Sequence, residues 1–244
     1  MKNTKISVIT PCFNEGKNIQ KNIKKIDDYL APRFSQYEII VVNDGSRDNT
    51  GEELAKLQDE IQLKVIDNTE NQGKGGAVRD GMLASSGENE VAMFLDSDLG
   101  ISIEELEKFI SEIGNGNDIV IASRFVPGLK VMRPVQLHRK VMEKAFRMIR
   151  MLITNNWKVK DTQCGFKVFR REAAMKIFPK VTVKRFAFDA EVMFLANKYG
   201  FKTKELPIHL QNPPSMSLRI FRDPINMIGD LLKIRMNDWK GKYR

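Results

Sequence analysis

The chain has 244 residues, 42% hydrophobic and 29% charged, with a net charge of +9, which matches an ordinary soluble globular protein with one substantial core. No run reaches the roughly 18–20 apolar residues of a membrane-spanning helix, and residues 1–10 do not form a signal peptide. Cys12 and Cys164 have neither metal-type spacing nor a disulfide framework, which indicates a reducing compartment, and His138 and His209 lack partners for a zinc site.

Short apolar runs and helical patterns alternate along the first 123 residues. Strands are predicted at 6–10, 38–42, 63–66, 91–95 and 118–122, and helices at 17–31, 51–60, 74–85 and 103–113. Strands interleaved with helices in this order predict an α/β fold with a mostly parallel, Rossmann-like central sheet flanked by helices.

The pattern changes after Arg124. One helical stripe with basic residues around it consists of Leu137, Val141, Ala145, Ile149 and Leu152. Residues 166–177 have a mixed pattern, 186–199 predict a helix, and 203–210 predict a last strand. With no internal repeat or low-complexity linker, we expect one domain at 1–235, followed by a basic tail at 236–244. We expect its first half, 1–123, to bind a nucleotide and its basic half, 124–235, to bind an acceptor.

Positive charge is concentrated between Arg124 and Arg185, where 17 Lys and Arg face only three acids. Such a region suits phosphate groups, nucleic acid or an anionic membrane surface, the alternative being a solvated basic face. A second apolar stripe among basic residues consists of Ile225, Ile228, Leu232, Met236 and Trp239. This stripe and the one at 137–153 predict interfacial helices, with core packing as the alternative.

Polar clusters follow three of the predicted strands: Asn14-Glu15, Asn43-Asp44-Gly45-Ser46 and Asp96-Ser97-Asp98. Ligands of an open parallel sheet bind beyond the carboxyl ends of its strands, so we expect these clusters at one crevice. If the chain turns at Ser97, Asp96 and Asp98 can face one metal ion. Carboxylate oxygens suit Mg²⁺ or Mn²⁺, with a diphosphate completing the coordination.

The segment Gly73-Lys74-Gly75-Gly76 opens a predicted helix. Its backbone N–H groups and its lysine could be presented to a phosphate group, the alternative being a flexible turn. The spacing is neither that of a P-loop nor that of a dinucleotide fingerprint.

Four motifs together resemble the inverting family 2 glycosyltransferases, which have the GT-A fold. They are Pro11-Cys12-Phe13-Asn14-Glu15, the segment Val42–Thr50, Asn71-Gln72-Gly73-Lys74-Gly75 and Leu95-Asp96-Ser97-Asp98. The second half resembles the polyprenyl-phosphate hexose synthases. Asp161–Lys167 and Arg185–Glu191 look most like segments of the dolichyl-phosphate β-glucosyltransferases, and the resemblance extends to about residue 235.

The resemblance implies a donor site. The residues that would bind the nucleotide sugar are Pro11, Phe13, Glu15, Asp44, Ser46, Gly73, Lys74, Asp96, Ser97 and Arg219. Asp96 and Asp98 would hold the metal, and Asp98 is assigned a catalytic role. Phe13 stands where relatives often have Tyr, which removes a hydroxyl but keeps the ring. Gly100 stands where relatives have Gln as a further metal ligand, so that ligand is unassigned.

The resemblance also implies an acceptor site. Arg124 and Arg139 match arginines that engage the lipid phosphate in the dolichyl-phosphate mannose synthases, a role that suits the arginine fork. Ser217 and Arg219 resemble a tail element that closes over the donor diphosphate, and Ser217 is also assigned to the acceptor phosphate. For these four, a surface salt bridge is the alternative. Asp189 matches the general base of relatives with hydroxyl acceptors, the alternative being a helix-surface or metal-shell role.

We therefore expect an inverting, metal-dependent hexosyltransferase that uses a UDP-glucose or GDP-mannose type donor and polyprenyl or dolichyl phosphate as acceptor. A lipid phosphate is already an anion, whereas a sugar hydroxyl, the alternative acceptor, needs a base. A nucleic-acid-binding module is disfavoured because the chain lacks an aromatic platform and its acidic loops would repel nucleic acid. We expect a cytoplasmic enzyme without a nucleic-acid partner, and peripheral binding to the inner face of the membrane is an open alternative.

Overall fold

The structure is a computed structural model that describes residues 4–128, 130–131, 137–210 and 222–244. The strands are β1 (Lys5–Cys12), β2 (Gln36–Asn43), β3 (Leu63–Asp67), β4 (Val91–Leu95), β5 (Ile119–Ser123), β6 (Lys130–Val131), β7 (Phe166–Arg170), β8 (Thr203–Pro207) and β9 (His209–Leu210). The helices are α1 (Ile19–Leu30), α2 (Thr50–Gln58), α3 (Lys74–Leu83), α4 (Leu106–Gly114), α5 (Leu137–Thr154), α6 (Arg171–Ile177), α7 (Phe188–Lys198) and α8 (Arg222–Trp239).

A mixed sheet forms the centre of the molecule, with the strand order β3-β2-β1-β4-β7-β5-β8, and β6 pairs separately with β9. Neighbouring strands of the large sheet are parallel except at β7, which is antiparallel to both β4 and β5. The predicted α/β fold with a mostly parallel sheet is confirmed. The segment 166–177, mixed in its sequence pattern, divides into β7 and α6, and the predicted strand at 203–210 is interrupted at Ile208.

Two helical layers cover the sheet. All residues of β4 and β5 are buried, as expected for apolar strands that lie between two layers. Buried side chains of α1, α2 and α4 pack on one face, and those of α3, α6 and α7 pack on the other. In α1 the apolar residues recur every three or four positions, so a single stripe of the helix is buried.

The strand order reverses between β1 and β4. The chain leaves β1 towards β2 and β3 on one side and then returns to place β4 on the other side of β1. At such a switch point the connections after the two strands diverge and leave a crevice at their carboxyl ends. Cys12 ends β1 and Leu95 ends β4, so the residues that follow them border this crevice.

The 18-residue helices α5 and α8 pack against each other. Phe146 and Ile149 of α5 and Leu231 and Ile234 of α8 face the core. Helix α8 runs through the predicted boundary at residue 235, and Tyr243 is buried, so the predicted tail at 236–244 packs on the domain. Across the described segments, none of the helices combines the length and the hydropathy that crossing a membrane requires.

Candidate active site

A cavity of about 540 Å³ opens beside the carboxyl ends of β1 and β2. Its lining combines the loops after these two strands with the loop after β3, and consists of Phe13, Asn14, Gly45, Ser46, Arg47, Thr69, Glu70 and Asn71. Phe13 is 44% exposed, which leaves a flat apolar surface available to a planar ring. We call this space the nucleoside cavity. Of the residues predicted to bind the nucleotide sugar, Phe13 and Ser46 line it, whereas Pro11 is buried within β1.

The loops after β1 and β2 are joined by Asn14. This residue has a left-handed backbone (φ 56°), which Asn tolerates better than most residues. Its backbone N–H donates to Ser46 Oγ at 2.9 Å, and its side-chain oxygen accepts from the backbone N–H of Arg47 at 2.8 Å. The wall of the nucleoside cavity is therefore held by paired polar groups.

Asp44 organises the loop that precedes α3. Its two carboxylate oxygens accept from the backbone N–H groups of Gln72 (2.9 Å) and Gly73 (2.8 Å), and Asn68 adds a side-chain donor. Gly73 has φ 91°, and a Cβ at this position would lie 2.6 Å from the carbonyl oxygen of Lys184, so glycine is required there. The structure thus gives Asp44 a positioning role for the start of α3, which the sequence motif did not reveal.

Asp96 and Asp98 follow β4 on a tight turn. The backbone N–H of Leu99 donates to the carbonyl oxygen of Asp96 at 3.1 Å, and Leu99 has a left-handed backbone (φ 49°). The carbonyl oxygen of Ser97 accepts from the Asn22 side chain of α1 at 2.7 Å, which fixes the turn. The chain therefore turns at Ser97, as the sequence analysis required for two carboxylates that face one ligand.

Lys74 lies among the carboxylates of the site. Its ammonium group pairs with Asp96 Oδ1. Burial lowers the pKa of Lys74, but the neighbouring carboxylates, Asp96 and Asp189 foremost, outweigh burial and raise it. Burial, together with repulsion from Asp98, raises the pKa of Glu15. Residues from the ends of β1 and β4 and from the start of α3 thus meet at the crevice.

The carboxylate pair suits a divalent cation. Mg²⁺ and Mn²⁺ take oxygen ligands, and Mg²⁺ is commonly bound by one or two carboxylates with substrate phosphates and water filling the other positions. Among residues 4–128, 130–131, 137–210 and 222–244, no three His, Cys, Asp or Glu side chains come together to hold a metal. Two carboxylates are a donor set that fits a metal shared with a diphosphate, and Gly100 has no side chain to add a third ligand.

Gly165 forms the surface against which Asp96 lies. The backbone N–H of Asp96 donates to the carbonyl oxygen of Gly165 at 3.2 Å, because β4 and β7 are antiparallel neighbours. A Cβ at residue 165 would overlap the Asp96 carboxylate. Gly165 lies in the motif Asp161–Lys167, but the sequence predicts no role for it, since nothing in the local sequence indicates that β7 lies beside β4.

Replacing Gly165 with alanine should weaken Mn²⁺-dependent binding of UDP at least about tenfold, because van der Waals overlap forces Asp96 to move and one misplaced ångström is costly in a preorganised site. Isothermal titration of UDP with and without Mn²⁺ measures the effect. Gly87→Ala is the matched control, since a Cβ at Gly87 meets no atom within 4 Å. Equal Mn²⁺-dependent affinities in the two variants would contradict this account of Gly165.

Asp189 lies below this site, at the start of α7, and is buried. Its Oδ1 accepts from Lys167 Nζ at 2.5 Å, and the same ammonium donates to the carbonyl oxygen of Cys164 at 2.6 Å. Burial raises the pKa of Asp189, opposed by the charges of Lys167 and Lys74. Sequence reasoning missed Lys167, although one lysine within the apolar strand Phe166–Arg170 is a usable signal, because buried lysines are nearly always paired.

Arg124, which the resemblance assigns to the acceptor phosphate with a salt bridge as the alternative, is engaged by protein carboxylates. Its Nε and Nη2 donate to Asp161 at 2.8 and 3.0 Å, and its Nη1 donates to Glu143 at 2.9 Å. Burial raises the pKa of Asp161, but the charge of Arg124 outweighs burial and lowers it. A phosphate would have to displace these carboxylates, because a bidentate pair already fills the arginine fork. The predicted Ser217 and Arg219, and the side chain of Arg139, lie outside the described residues.

Sequence comparison identifies relatives over nearly the whole chain. The family described as Glycosyl transferase family 2 matches residues 7–178. Dolichyl-phosphate beta-glucosyltransferase ALG5C of Trichomonas vaginalis is 35% identical over 93% of this chain and 69% of its own. Dolichyl-phosphate beta-glucosyltransferases of Saccharomyces cerevisiae and Homo sapiens are 31% and 30% identical over 98% of this chain, and 76% and 77% of theirs.

Solved structures with the same fold include glucosyl-3-phosphoglycerate synthase from Mycobacterium tuberculosis in complex with UDP. It superposes with a TM-score of 0.67 over 95% of this chain and 80% of that chain, at 18% identity. The same enzyme with Mn²⁺, UDP and glucosyl-3-phosphoglycerate gives a TM-score of 0.65 at 17% identity, over 96% of this chain and 79% of that chain. The protein therefore belongs to glycosyl transferase family 2 and is a glycosyltransferase with the GT-A fold.

Proposed function

We propose that the enzyme transfers glucose from UDP-glucose to a dolichyl or polyprenyl phosphate, with inversion and with a divalent metal. The observation that carries this proposal is that Lys74 lies with Asp96 and Asp98 at the crevice, while Phe13 and Asn14, which follow β1 at the same crevice, line the nucleoside cavity. The names of the relatives favour glucose as the sugar and dolichyl phosphate as the acceptor. The UDP-glucose bound by a neighbour of the same fold favours UDP over GDP as the carrier.

The proposed reaction forms one bond and breaks one bond. An oxygen of the acceptor phosphate attacks the anomeric carbon from the face opposite the diphosphate. The bond between that carbon and the diphosphate oxygen breaks, and its electron pair stays on the departing UDP. Lys74 would bind the diphosphate and stabilise this charge. A metal at Asp96 and Asp98 would add further positive charge beside the diphosphate.

No general base is required for this acceptor, because a phosphate group is ionised at neutral pH. The surroundings of Asp189 are consistent with a reaction that uses no general base. Its carboxylate is buried and paired with Lys167, which favours a role in holding the charges beneath the site over direct contact with an acceptor hydroxyl. The base role assigned to Asp189 from the resemblance is therefore retained only for the alternative in which the acceptor is a sugar hydroxyl.

A transfer assay with paired donors and paired acceptors tests the proposal. Purified protein receives UDP-glucose or GDP-mannose with Mn²⁺, and either dolichyl phosphate or dolichol in detergent. We expect a product only from UDP-glucose and dolichyl phosphate, with a β-linkage visible in the coupling of the anomeric proton. Faster transfer from GDP-mannose would contradict the proposed donor, and a product with dolichol would contradict the proposed acceptor.

We also propose that the enzyme binds the membrane surface through the outer faces of α5 and α8. These faces expose Met148, Leu152, Leu232, Met236 and Trp239, the last of them 74% exposed. Core packing is thereby excluded for these five side chains. Exposed lysines lie on α5 (Lys144), on α8 (Lys233) and directly after α8 (Lys240), and they would attract anionic headgroups. We call these five apolar side chains the α5/α8 face.

Replacing Leu232, Met236 and Trp239 simultaneously by serine should weaken binding to vesicles containing 30% phosphatidylserine by about tenfold or more. The reason is that the transfer of each apolar side chain from water into the membrane interface lowers the free energy of the bound state. Co-sedimentation with the vesicles measures the binding. Leu83→Ser is the control, since Leu83 is a similarly exposed apolar residue of α3. Unchanged sedimentation of the triple variant would rule out the α5/α8 face as the contact surface.

A further inference from the structure

A fully buried carboxylate, Glu191 of α7, binds the loop that precedes its own helix. Its Oε2 accepts from the backbone N–H groups of Thr182 at 2.8 Å and Val183 at 2.7 Å. Its Oε1 accepts from the Thr182 hydroxyl at 2.8 Å. A carboxylate without contact with water needs several donors to offset its desolvation, and these bonds fix Thr182 and Val183 to α7. We call residues 181–187 the support loop.

The fourth donor to Glu191 is Tyr243, which follows α8. The Tyr243 hydroxyl donates to Glu191 Oε1, and Asn237 of α8 donates to that hydroxyl at 3.3 Å. The backbone carbonyl of Tyr243 accepts from the Tyr199 hydroxyl at 3.2 Å, and the Tyr243 side chain is 1% exposed. Tyr243 is thus held between α7 and α8 with its hydroxyl on Glu191.

The support loop contacts the start of α3 on its opposite side. The carbonyl oxygen of Lys184 accepts from the backbone N–H of Gly76 at 3.1 Å, and the Lys184 ammonium donates to the Gln72 side chain at 3.0 Å. A Cβ at Gly75 would lie 2.6 Å from the carbonyl oxygen of Val183. Backbone therefore rests directly on backbone here, and a displacement of the support loop must displace the residues on either side of Lys74.

We infer that Glu191 and Tyr243 are positioning residues for the donor diphosphate, acting through the support loop on the start of α3. The inference rests on the proposed function for the assignment of this helix start to the diphosphate. The physical reason is that N–H groups and a lysine stabilise phosphate only when held in a fixed arrangement. The hydrogen bonds of Glu191 and Tyr243 run to the support loop, to Asn237 and to Tyr199, so the two residues act on Lys74 only through the support loop.

Tyr243→Phe removes one hydroxyl and keeps the buried ring. Hydrogen exchange is first measured without nucleotide, on peptides that cover residues 72–78 and 181–187. We expect faster exchange in both, because the support loop loses part of its attachment. With Mn²⁺ present, the Kd for UDP and the KM for UDP-glucose should rise about three- to tenfold, the effect of one hydrogen bond, while kcat stays within about twofold. Glu191→Gln should change the same quantities in the same direction and by more.

Tyr37→Phe is the matched control. The Tyr37 hydroxyl also donates to a carboxylate, Asp27, at 2.8 Å, but it lies at the amino end of β2, opposite the crevice. It should reduce thermal stability without changing the Kd for UDP or exchange at 72–78. If Tyr243→Phe behaves like this control, Tyr243 has only a structural role and the inference is overturned. A wild-type protein that fails to bind UDP would instead contradict the proposed function, and the exchange data would still decide whether the support loop and α3 are coupled.

Discussion

Asp98→Ala is expected to lower the rate of glucose transfer by about 10²–10³-fold, the usual loss when one preorganised charge-stabilising group is removed. Asp98 lies on the turn after β4 and, with Asp96, acts electrostatically on Lys74. Its Oδ1 also accepts from the backbone N–H of Gly100 at 3.0 Å. Removing the carboxylate leaves Asp96 alone to hold a metal, so both the transfer rate and the gain in UDP affinity on adding Mn²⁺ should fall.

Asp118→Ala is the matched control for Asp98→Ala. The Asp118 side chain also accepts a hydrogen bond from a backbone N–H, that of Lys202, at 2.8 Å. However, Asp118 lies just before the amino end of β5, at the opposite end of the strands from the crevice. Both variants should lose a similar, small amount of stability. Only Asp98→Ala should lose transfer activity and Mn²⁺-dependent binding of UDP, measured by product formation and by titration. Transfer at more than a tenth of the wild-type rate by Asp98→Ala would refute the assigned role.

The donor side of the site could be predicted from the sequence because its residues are local to strand ends. Each polar cluster follows an apolar run directly, and parallel strands bring their carboxyl ends to one edge of the sheet. Phe13 and Ser46 therefore line one cavity, and Asp96 lies beside Lys74, although more than twenty residues separate the members of each pair. The contribution of Asp44 was harder to predict, because its hydrogen bonds to residues 72 and 73 depend on how two loops pack.

The position of β7 could not be predicted in the same way. Residues 166–170 pair with β4 and β5, which precede them by more than 40 residues, and they run antiparallel to both. Only this pairing brings Gly165 against Asp96 and Lys167 against Asp189. Periodicity reports which residues are buried, but it does not report which strand becomes their neighbour.

The acceptor side shows a second limit of sequence reasoning. A resemblance assigns Arg124 to a phosphate, but the residue type alone does not reveal that Asp161 and Glu143 already bind its guanidinium. Patterns in α5 and α8 gave both interfacial and core packing as alternatives. In the fold, Leu231 and Ile234 of α8 are buried, whereas Leu232 and Met236, which belong to the predicted stripe, are exposed and do not pack in the core.

Lys167→Met should lower the free energy of unfolding by about 3–5 kcal/mol, because it leaves the buried Asp189 carboxylate without its closest opposite charge. For a chain of this length that loss corresponds to a fall in Tm of roughly 6–20 °C. Chemical denaturation and thermal unfolding measure the two quantities. Adding Asp189→Leu to Lys167→Met should recover much of the loss, since two apolar side chains can replace a buried ion pair at little cost.

Lys198→Met is the control for Lys167→Met. Its ammonium pairs with Asp238 at 2.7 Å, but the lysine side chain is 34% exposed, so the loss should stay near or below about 1 kcal/mol. Equal losses in Lys167→Met and Lys198→Met would show that burial adds nothing to the Lys167–Asp189 pair. A large loss that Asp189→Leu fails to relieve would mean that Lys167 acts through its bond to the carbonyl oxygen of Cys164. Relief by Asp189→Leu would instead identify the unpaired Asp189 carboxylate as the source of the instability.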